Sequence, residues 1–423
     1  MENNMSYAFN NKIQGSTTTS FGKTVLSVDD DTVQHTSKNR RKVSTYEVID
    51  FSTFPFSKND KDFDEIATSG GSSTHDEYLG MVEMSVGNTA GSSIIRQTKR
   101  VQRYLPGRAN EATLCTILGD VVGTTRRVGV FDDLNGAYFE TNGTDLYCVI
   151  RRNTSGGPVE ERVSRDNWNG DKLDGTGLSG ITLDLNKIQL IVIEYEWYGA
   201  GQVEFKFVID NNAHSVHQQN TSNNSDYTWS QSGTLPTRYE FTNVDGTTNP
   251  VSMYQGSHSF LTEGTAKLFG KHQSVSLPTT GNAIALANTF YPLVAVRLKT
   301  TALSSVVIPD EYAAASFDKT DLFVRTITDA TVTGGTWVSI GAESPLEYNI
   351  TASGFSGGVV ESTKLITEKT MGETLTFPSK AISQIGRKTT TILGDTSQTF
   401  LIAGATTDVD KDVWASLGWI EVW

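Results

Sequence analysis

The densest run of chemistry-bearing side chains in this chain is LIVIEYEWYGAGQVEFKFVID, residues 190–210. There Glu194, Glu196, Glu204 and Lys206 alternate with apolar residues on either side of a short glycine loop. Paired carboxylates are the equipment of glycoside hydrolysis. A separation of about 5–5.5 Å suits retention and about 6.5–9.5 Å suits inversion, provided one of the two is held protonated by its surroundings. Glu196 and Glu204, facing each other across a hairpin, meet the shorter spacing.

Glycanases of the laminarinase type carry their acids on one strand as Glu, apolar, Asp, apolar, two variable residues, Glu. Here Glu194-Tyr195-Glu196-Trp197-Tyr198-Gly199-Ala200 has Glu in place of Asp and Ala in place of the third acid. The third acid is missing altogether, so no catalytic residue is assigned. Folding the segment about Ala200 sets Trp197 opposite Val203, Tyr195 opposite Phe205, Ile193 opposite Phe207 and Ile191 opposite Ile209. All of these share one face, because strand side chains alternate. The same pairing sets Glu194 opposite Lys206 and Glu196 opposite Glu204 on the other face. That second face is expected to meet water or a neighbouring subunit.

Other candidate chemistry falls away on inspection. His214 and His217 sit in a polar, Asn-rich stretch with no acidic partner motif. Asp408, Asp410 and Asp412 imitate the opening of a calcium loop, but Val413 and Trp419 occupy the positions that require Gly and Glu. Phosphate-loop, nucleophile-elbow and dinucleotide fingerprints are missing, so neither metal nor cofactor is expected. Trp168, Tyr227 and Trp229 lie in polar loops; they are expected to be structural, with stacking on a sugar ring as the alternative.

The elements that must position these residues are strands. Asn135-Gly136 and Asn142-Gly143 are tight-turn pairs between apolar runs, and SKNDKDFDEIATSGGSSTHD (57–76) reads as a loop or linker. RDNWNGDKLDGTGLSGITLDL (165–185) reads as a long ordered loop ending in a strand, and residues 211–233 as another polar loop. AISQIGRK is the best candidate for a short helix. VWASLGWIEVW is apolar on both faces and must be covered by this chain or a neighbour. Strand runs spaced by turn signals give a mainly β fold: an antiparallel β-sandwich of jelly-roll or concanavalin-like type. The expected organisation is an extended N-terminal arm over 1–45, a main sandwich over 46–300 and a smaller C-terminal β region over 301–423.

Composition sets the outer limits. The chain has 423 residues, a net charge of −13 and only two cysteines, Cys115 and Cys148. Acidity of this order argues against a phosphate-backbone binder, and two cysteines make neither a disulfide framework nor a zinc site. They read as buried thiols. The first residues do not form a signal peptide and no apolar run is long enough to span a bilayer, so synthesis in the cytoplasm is expected. Two basic clusters, Lys38, Arg40, Arg41, Lys42 and Arg96, Lys99, Arg100, Arg103, lack the interleaved aromatics of a nucleic-acid groove. They are expected to be surface charge or docking points for an acidic neighbouring subunit.

RYLPGRANEATLCTILGD, GVFDDLNGAYFETNGTDLYCVIRR and RDNWNGDKLDGTGLSGITLDLNKIQLIVIEYEWYGAGQVEFKFVID, with LPTRYEF, YPLVAVRLK and SPLEYNI further on, resemble virion structural proteins of tailed bacteriophages, particularly marine and cyanobacterial ones. The resemblance covers roughly residues 77–360 and is most specific at 127–210. It implies a location in a particle and a β-rich fold; with the residues above, the expectation is a non-enzymatic virion component, tail, baseplate or fibre first, with capsid decoration or head fibre, and a host glycan-binding module or polysaccharide-degrading enzyme, as the alternatives. Its implied partners are other virion structural proteins and copies of itself, with a host surface glycan as a further partner and neither nucleic acid nor membrane. It carries over no site residues.

Overall fold

The computed structural model describes residues 46–422 apart from 103, 105–106, 247–250, 265–269, 304, 368–372, 377–386 and 389–395, together with two short paired strands, Ser16–Thr18 and Thr24–Leu26. The rest of the expected arm and most of the expected helix at 381–388 lie outside the described residues. Arg387–Lys388, at the end of that segment, is a strand paired with Thr396–Ser397.

Alternation of apolar and polar residues makes strands with one greasy face, and two such faces close on each other. The first pair of sheets does this over 46–263. One sheet runs, in spatial order, Asn212–Asn220, Gln202–Ile209, Gln189–Tyr195, Asn110–Ile117, Val251–Glu263, Met81–Val86 and Ser72–Asp76. Tyr46–Ser52 adds to it along the second half of Val251–Glu263. The facing sheet runs Gly157–Ser164, Asp145–Thr154, Gly136–Asn142, Thr124–Phe131, Thr237–Asn243, Ser93–Thr98 and Phe63–Thr68. Between them Ile191, Ile193, Tyr195, Phe205 and Phe207 join Val128, Val130, Phe139, Ile150 and Phe241 in one core. Phe139 packs edge-on to Phe205, with centroids 5.3 Å apart at 80°. Such a contact contributes about 0.5–1.5 kcal/mol beyond area burial.

A second sandwich follows. Lys411–Val422 is central in one of its sheets, flanked by Val306–Ser316 on one side and by Lys271–Ser276 and Asn282–Ile284 on the other. The opposing sheet contains Leu346–Asn349, Tyr291–Leu298, Thr399–Thr406, Leu322–Thr328 and Val359–Ile366. Trp419, Leu417 and Val413 pack with Val294, Val296, Leu322 and Ile402. The doubly apolar segment VWASLGWIEVW is therefore covered by its own chain. Among the described residues, the strands at 271–298 pair with later ones and so share the sheets of the second sandwich.

Three local expectations are corrected. The supposed linker 57–76 contains the strands Phe63–Thr68 and Ser72–Asp76, and the polar stretch after 211 begins with the strand Asn212–Asn220. Both are at or beside sheet margins, where polar residues face outward and hide the two-residue period. Conversely, the strand expected at the end of 165–185 shrinks to a single bridge between Asp174 and Thr182. That loop is ordered as expected. Its Trp168, Leu173, Leu183 and Leu185 enter the core, and its Gly170 and Asp171 amides bond to Val216 and Ser215, covering the edge of Asn212–Asn220.

Trp419→Ala should cost about 3–5 kcal/mol through the cavity it leaves in the second core, and Phe205→Ala a similar amount in the first. Differential scanning calorimetry of each variant reads the loss directly.

Candidate functional site

The glutamate hairpin is built as expected in its faces and differently in its register. Glu196 N–H donates to the Gln202 carbonyl, and the Ala200 and Gly201 amides both donate to the Trp197 carbonyl. The turn is this tight because residue 201 has no Cβ: one built there would lie 1.4 Å from the Glu196 carbonyl oxygen. Closing the loop this way pairs Tyr195 with Val203, Ile193 with Phe205, Ile191 with Phe207, Glu194 with Glu204 and Val192 with Lys206. The slip from the expected register is an even number of residues, so every side chain keeps its face.

The polar face is not wet. Glu194 and Glu196 are 0 % exposed and Glu204 is 8 % exposed, which overturns the expected watered surface. Two glutamates directly opposite each other repel, and Lys206 resolves the conflict. Its Nζ lies 2.8 Å from Glu194 Oε2 and 2.8 Å from Glu204 Oε2. Gln218 on the adjoining strand donates to Glu204 at 3.1 Å. Burial pushes the Glu204 carboxyl upward, but Lys206 and hydrogen bonds from Ser215 and Gln218 more than offset it, leaving it below the ordinary range. A carboxyl held as an ion is a poor proton donor, and general acid work needs the opposite.

The outward face of the facing sheet carries a second, larger charge network that sequence reasoning did not assemble. Arg127 bonds Glu140 and Glu240, each at 2.6 Å. Arg151 and Arg162 both hold Glu160, and Arg162 also reaches Glu140 at 2.9 Å. Arg238 Nη2 lies 2.8 Å from Asp133 and 3.2 Å from Glu240. Tyr138, fully buried in the middle, donates its hydroxyl to Glu160 at 2.8 Å. The guanidinium of Arg151 sits 5.2 Å from the Tyr138 ring. Four carboxylates therefore meet four guanidinium groups. Burial pushes Glu160 and Glu240 upward, but the neighbouring arginines more than offset it and both lie below their ordinary value. Asp133 is the exception: burial raises it despite Arg238. The signal was present in the sequence, since Glu140, Arg151, Arg162 and Glu240 all alternate with core residues.

The remaining candidates are dispersed. Trp168 and Trp229 are buried in the core at 4 % and 2 % exposure, Trp229 also lining the cleft beside Tyr227. Tyr227 is half exposed, with the Arg152 guanidinium 3.4 Å from its ring centroid. These two line a cleft of about 200 Å³ with Val159, Glu160, Glu161 and Gln219. His217 is buried, accepts from the Asn169 amide at Nδ1 and is shifted down by burial. Among the described residues no cluster of His, Cys, Asp and Glu is arranged to hold a metal. Both cysteines are unbridged thiols pushed up by burial.

The second basic cluster is spent within the chain. Arg96 is fully buried and reaches Glu65 at 2.5 Å, Arg100 lies 3.2 Å from Asp62, and Lys99 lies 3.9 Å from Asp64. These residues pair with acids of their own sheet region. Arg103 and the cluster at 38–42 lie outside the described residues.

No protein-family model and no curated protein matches the chain. Solved structures similar to part of the chain include a legume lectin-like domain from Entamoeba histolytica, 13 % identical, covering 50 % of this chain and 96 % of its own, with a TM-score of 0.31. A CBM2 module of the evolved Dit of Lactobacillus casei BL23 phage J-1 is 8 % identical, covering 53 % of this chain and 99 % of its own, with a TM-score of 0.35. A Bacteroides ovatus mixed-linkage glucan GH16 protein is 10 % identical, covering 50 % of this chain and 100 % of its own, with a TM-score of 0.34. Superpositions this partial carry no ligand or activity over to the chain.

Lys206→Met should destabilise the protein by about 3–5 kcal/mol, because it strands two buried carboxylates. Adding Glu204→Gln should restore part of the loss, as read by urea denaturation. Glu65, Glu160, Glu204 and Glu240 all lie below their ordinary value of 4.5. Each therefore contributes stability that is fully present above pH 4.5 and lost as pH falls through its lower native value. Asp133 runs the other way, its ionisation opposing stability above its unfolded value of 3.8. Glu240→Gln should flatten the acid limb of stability against pH, and equilibrium unfolding at stepped pH below 4.5 measures the slope.

Proposed function

We propose that this chain is a non-enzymatic structural component of a tailed-phage particle, placed on the tail, baseplate or fibre and acting through contacts with copies of itself and with other particle proteins. One observation carries the reading. Glu204 is clamped by Lys206, and Glu140, Glu160 and Glu240 by arginines, on the sheet faces. Asp133, which burial shifts toward its protonated form, shares Arg238 Nη2 with Glu240. Arg238 would have to leave before the two could flank a substrate. Charge networks of this kind stiffen a surface; they do not cycle protons. The sequence resemblance over 77–360 supports the particle, and two sandwiches with strand edges suit a subunit that is used as a surface.

A second reading, recognition of a host glycan, is favoured by the cleft beside Tyr227. It combines an exposed aromatic with apolar walls and a few charged groups, the pattern of small-ligand sites.

Immunogold labelling of intact particles should place the protein at the tail, and its absence from purified particles rejects the proposal. The quadruple variant Asp133→Asn, Glu196→Gln, Glu204→Gln, Glu240→Gln should match the parent in a reducing-sugar assay on host envelope polysaccharide, both at background. Release by the parent that the variant loses would make the protein a hydrolase.

A further inference from the structure

One charged group in the first core stands apart from both networks. Arg126 lies on the inward face of Thr124–Phe131, directly across from Phe241 on one neighbouring strand and Thr141 on the other. It is fully buried. Its guanidinium carbon sits 4.7 Å from the Phe241 ring centroid. Gly119, with φ of +75°, approaches so closely that a Cβ there would be 3.4 Å from Arg126 Cζ. Among the described residues none of Nε, Nη1 and Nη2 has a hydrogen-bond partner, and neither has the buried hydroxyl of Thr141 opposite.

A buried guanidinium normally has its donors met, since an unmet buried charge is among the most costly features a fold can carry. Asp120 is the acid that acts on Arg126 electrostatically, yet it makes no ion pair with it. Burial lowers the guanidinium to about 10, with Asp120 opposing. It therefore still holds its proton at neutral pH. The stretch 118–123, which leads into the Arg126 strand, starts buried at Leu118 and is held by backbone hydrogen bonds near both ends. Gly119 N–H donates to the Leu185 carbonyl, Gly143 N–H to Thr124, and Val244 N–H to Gly123. The five N–H donors of the guanidinium and, on the neighbouring strand, the Thr141 hydroxyl thus lie buried on the inward face with no hydrogen-bond partner among the described residues.

We propose that Arg126 and Thr141, beside Gly119, form a binding site for one small monovalent inorganic anion of halide type. A single negative charge matches the single guanidinium. The closed surroundings favour a monatomic ion over a polyatomic oxyanion, and a water molecule would meet donors without neutralising the charge. The anion is structural: it belongs to the folded state and is lost on unfolding.

Two measurements on the full chain test this. In crystals grown with bromide in place of chloride, an anomalous difference peak is expected within hydrogen-bonding distance of the Arg126 guanidinium and of Thr141 Oγ1. Thermal unfolding at fixed ionic strength, exchanging gluconate for chloride, should raise the midpoint by about 1–2 °C per tenfold increase in chloride, because a ligand of the folded state stabilises in proportion to the logarithm of its concentration. Thr141→Val, which keeps shape and removes the hydroxyl, should shift that dependence to higher chloride, and Arg126→Met should abolish it. A guanidinium found bonded to water or to the Asp120 carboxylate, with no bromide peak, overturns the proposal. So does a chloride dependence that is flat in the parent or identical in Thr141→Val. Failure of Arg126→Met to fold leaves the bromide map and the Thr141 variant to decide.

Discussion

A carboxylate taken out of water must be met by a cation or give up its charge, and that constraint shapes both outward sheet faces of this protein. Around Glu194 and Glu204 the cation is Lys206, set between two like charges that the hairpin register forces together. Around Glu140, Glu160 and Glu240 it is a group of arginines that also covers the Tyr138 ring. Isolated surface pairs contribute little, but these are largely buried and interlocked, so removing one member leaves another uncompensated. The same constraint makes Arg126 conspicuous, as a buried charge with no hydrogen-bond partner among the described residues.

The core of the first sandwich was legible in the sequence. Strict alternation at Ile191, Ile193, Tyr195 and at Val203, Phe205, Phe207 assigned the faces correctly, and both Asn-Gly turns lie between the strands that they separate. The hairpin register was not legible, because the symmetric fold about Ala200 ignores how tightly a glycine at 201 lets the chain turn. Nor was the burial of the glutamates. Period-two patterning divides residues between faces but does not say whether the polar face is covered, and here Lys206 and Gln218 arrive from neighbouring positions that only a register can supply. Asn212–Asn220 and Val251–Glu263 escaped notice as strands for a related reason: the His, Ser and Gln residues on them interrupt the apolar alternation and dilute its signal.

The site reading changed with the fold. Trp168 and Trp229 looked like loop aromatics available to a ligand, and both proved to be core residues delivered by ordered loops. Tyr227, between them and less distinctive in sequence, is the one left exposed. Arg96, Lys99 and Arg100 looked like a patch held out to a neighbour, and proved to be bound up with Glu65, Asp64 and Asp62. Charge clusters on successive strands are ambiguous in a sequence because their complements lie far away along the chain, and the pairing that brings them together is what the sequence does not print.

Lys411–Val422 sits in the middle of its sheet, between strands that leave the ribosome long before it. Until it arrives, Lys271–Ser276 and Val306–Ser316 have no common neighbour and the second core lacks Trp419. Prematurely terminated chains would therefore carry a finished first half and an unfinished second one, with raw hydrogen-bonding edges that chaperones and proteases recognise. Closure of the second core thus waits on a strand made long after its neighbours in the sheet.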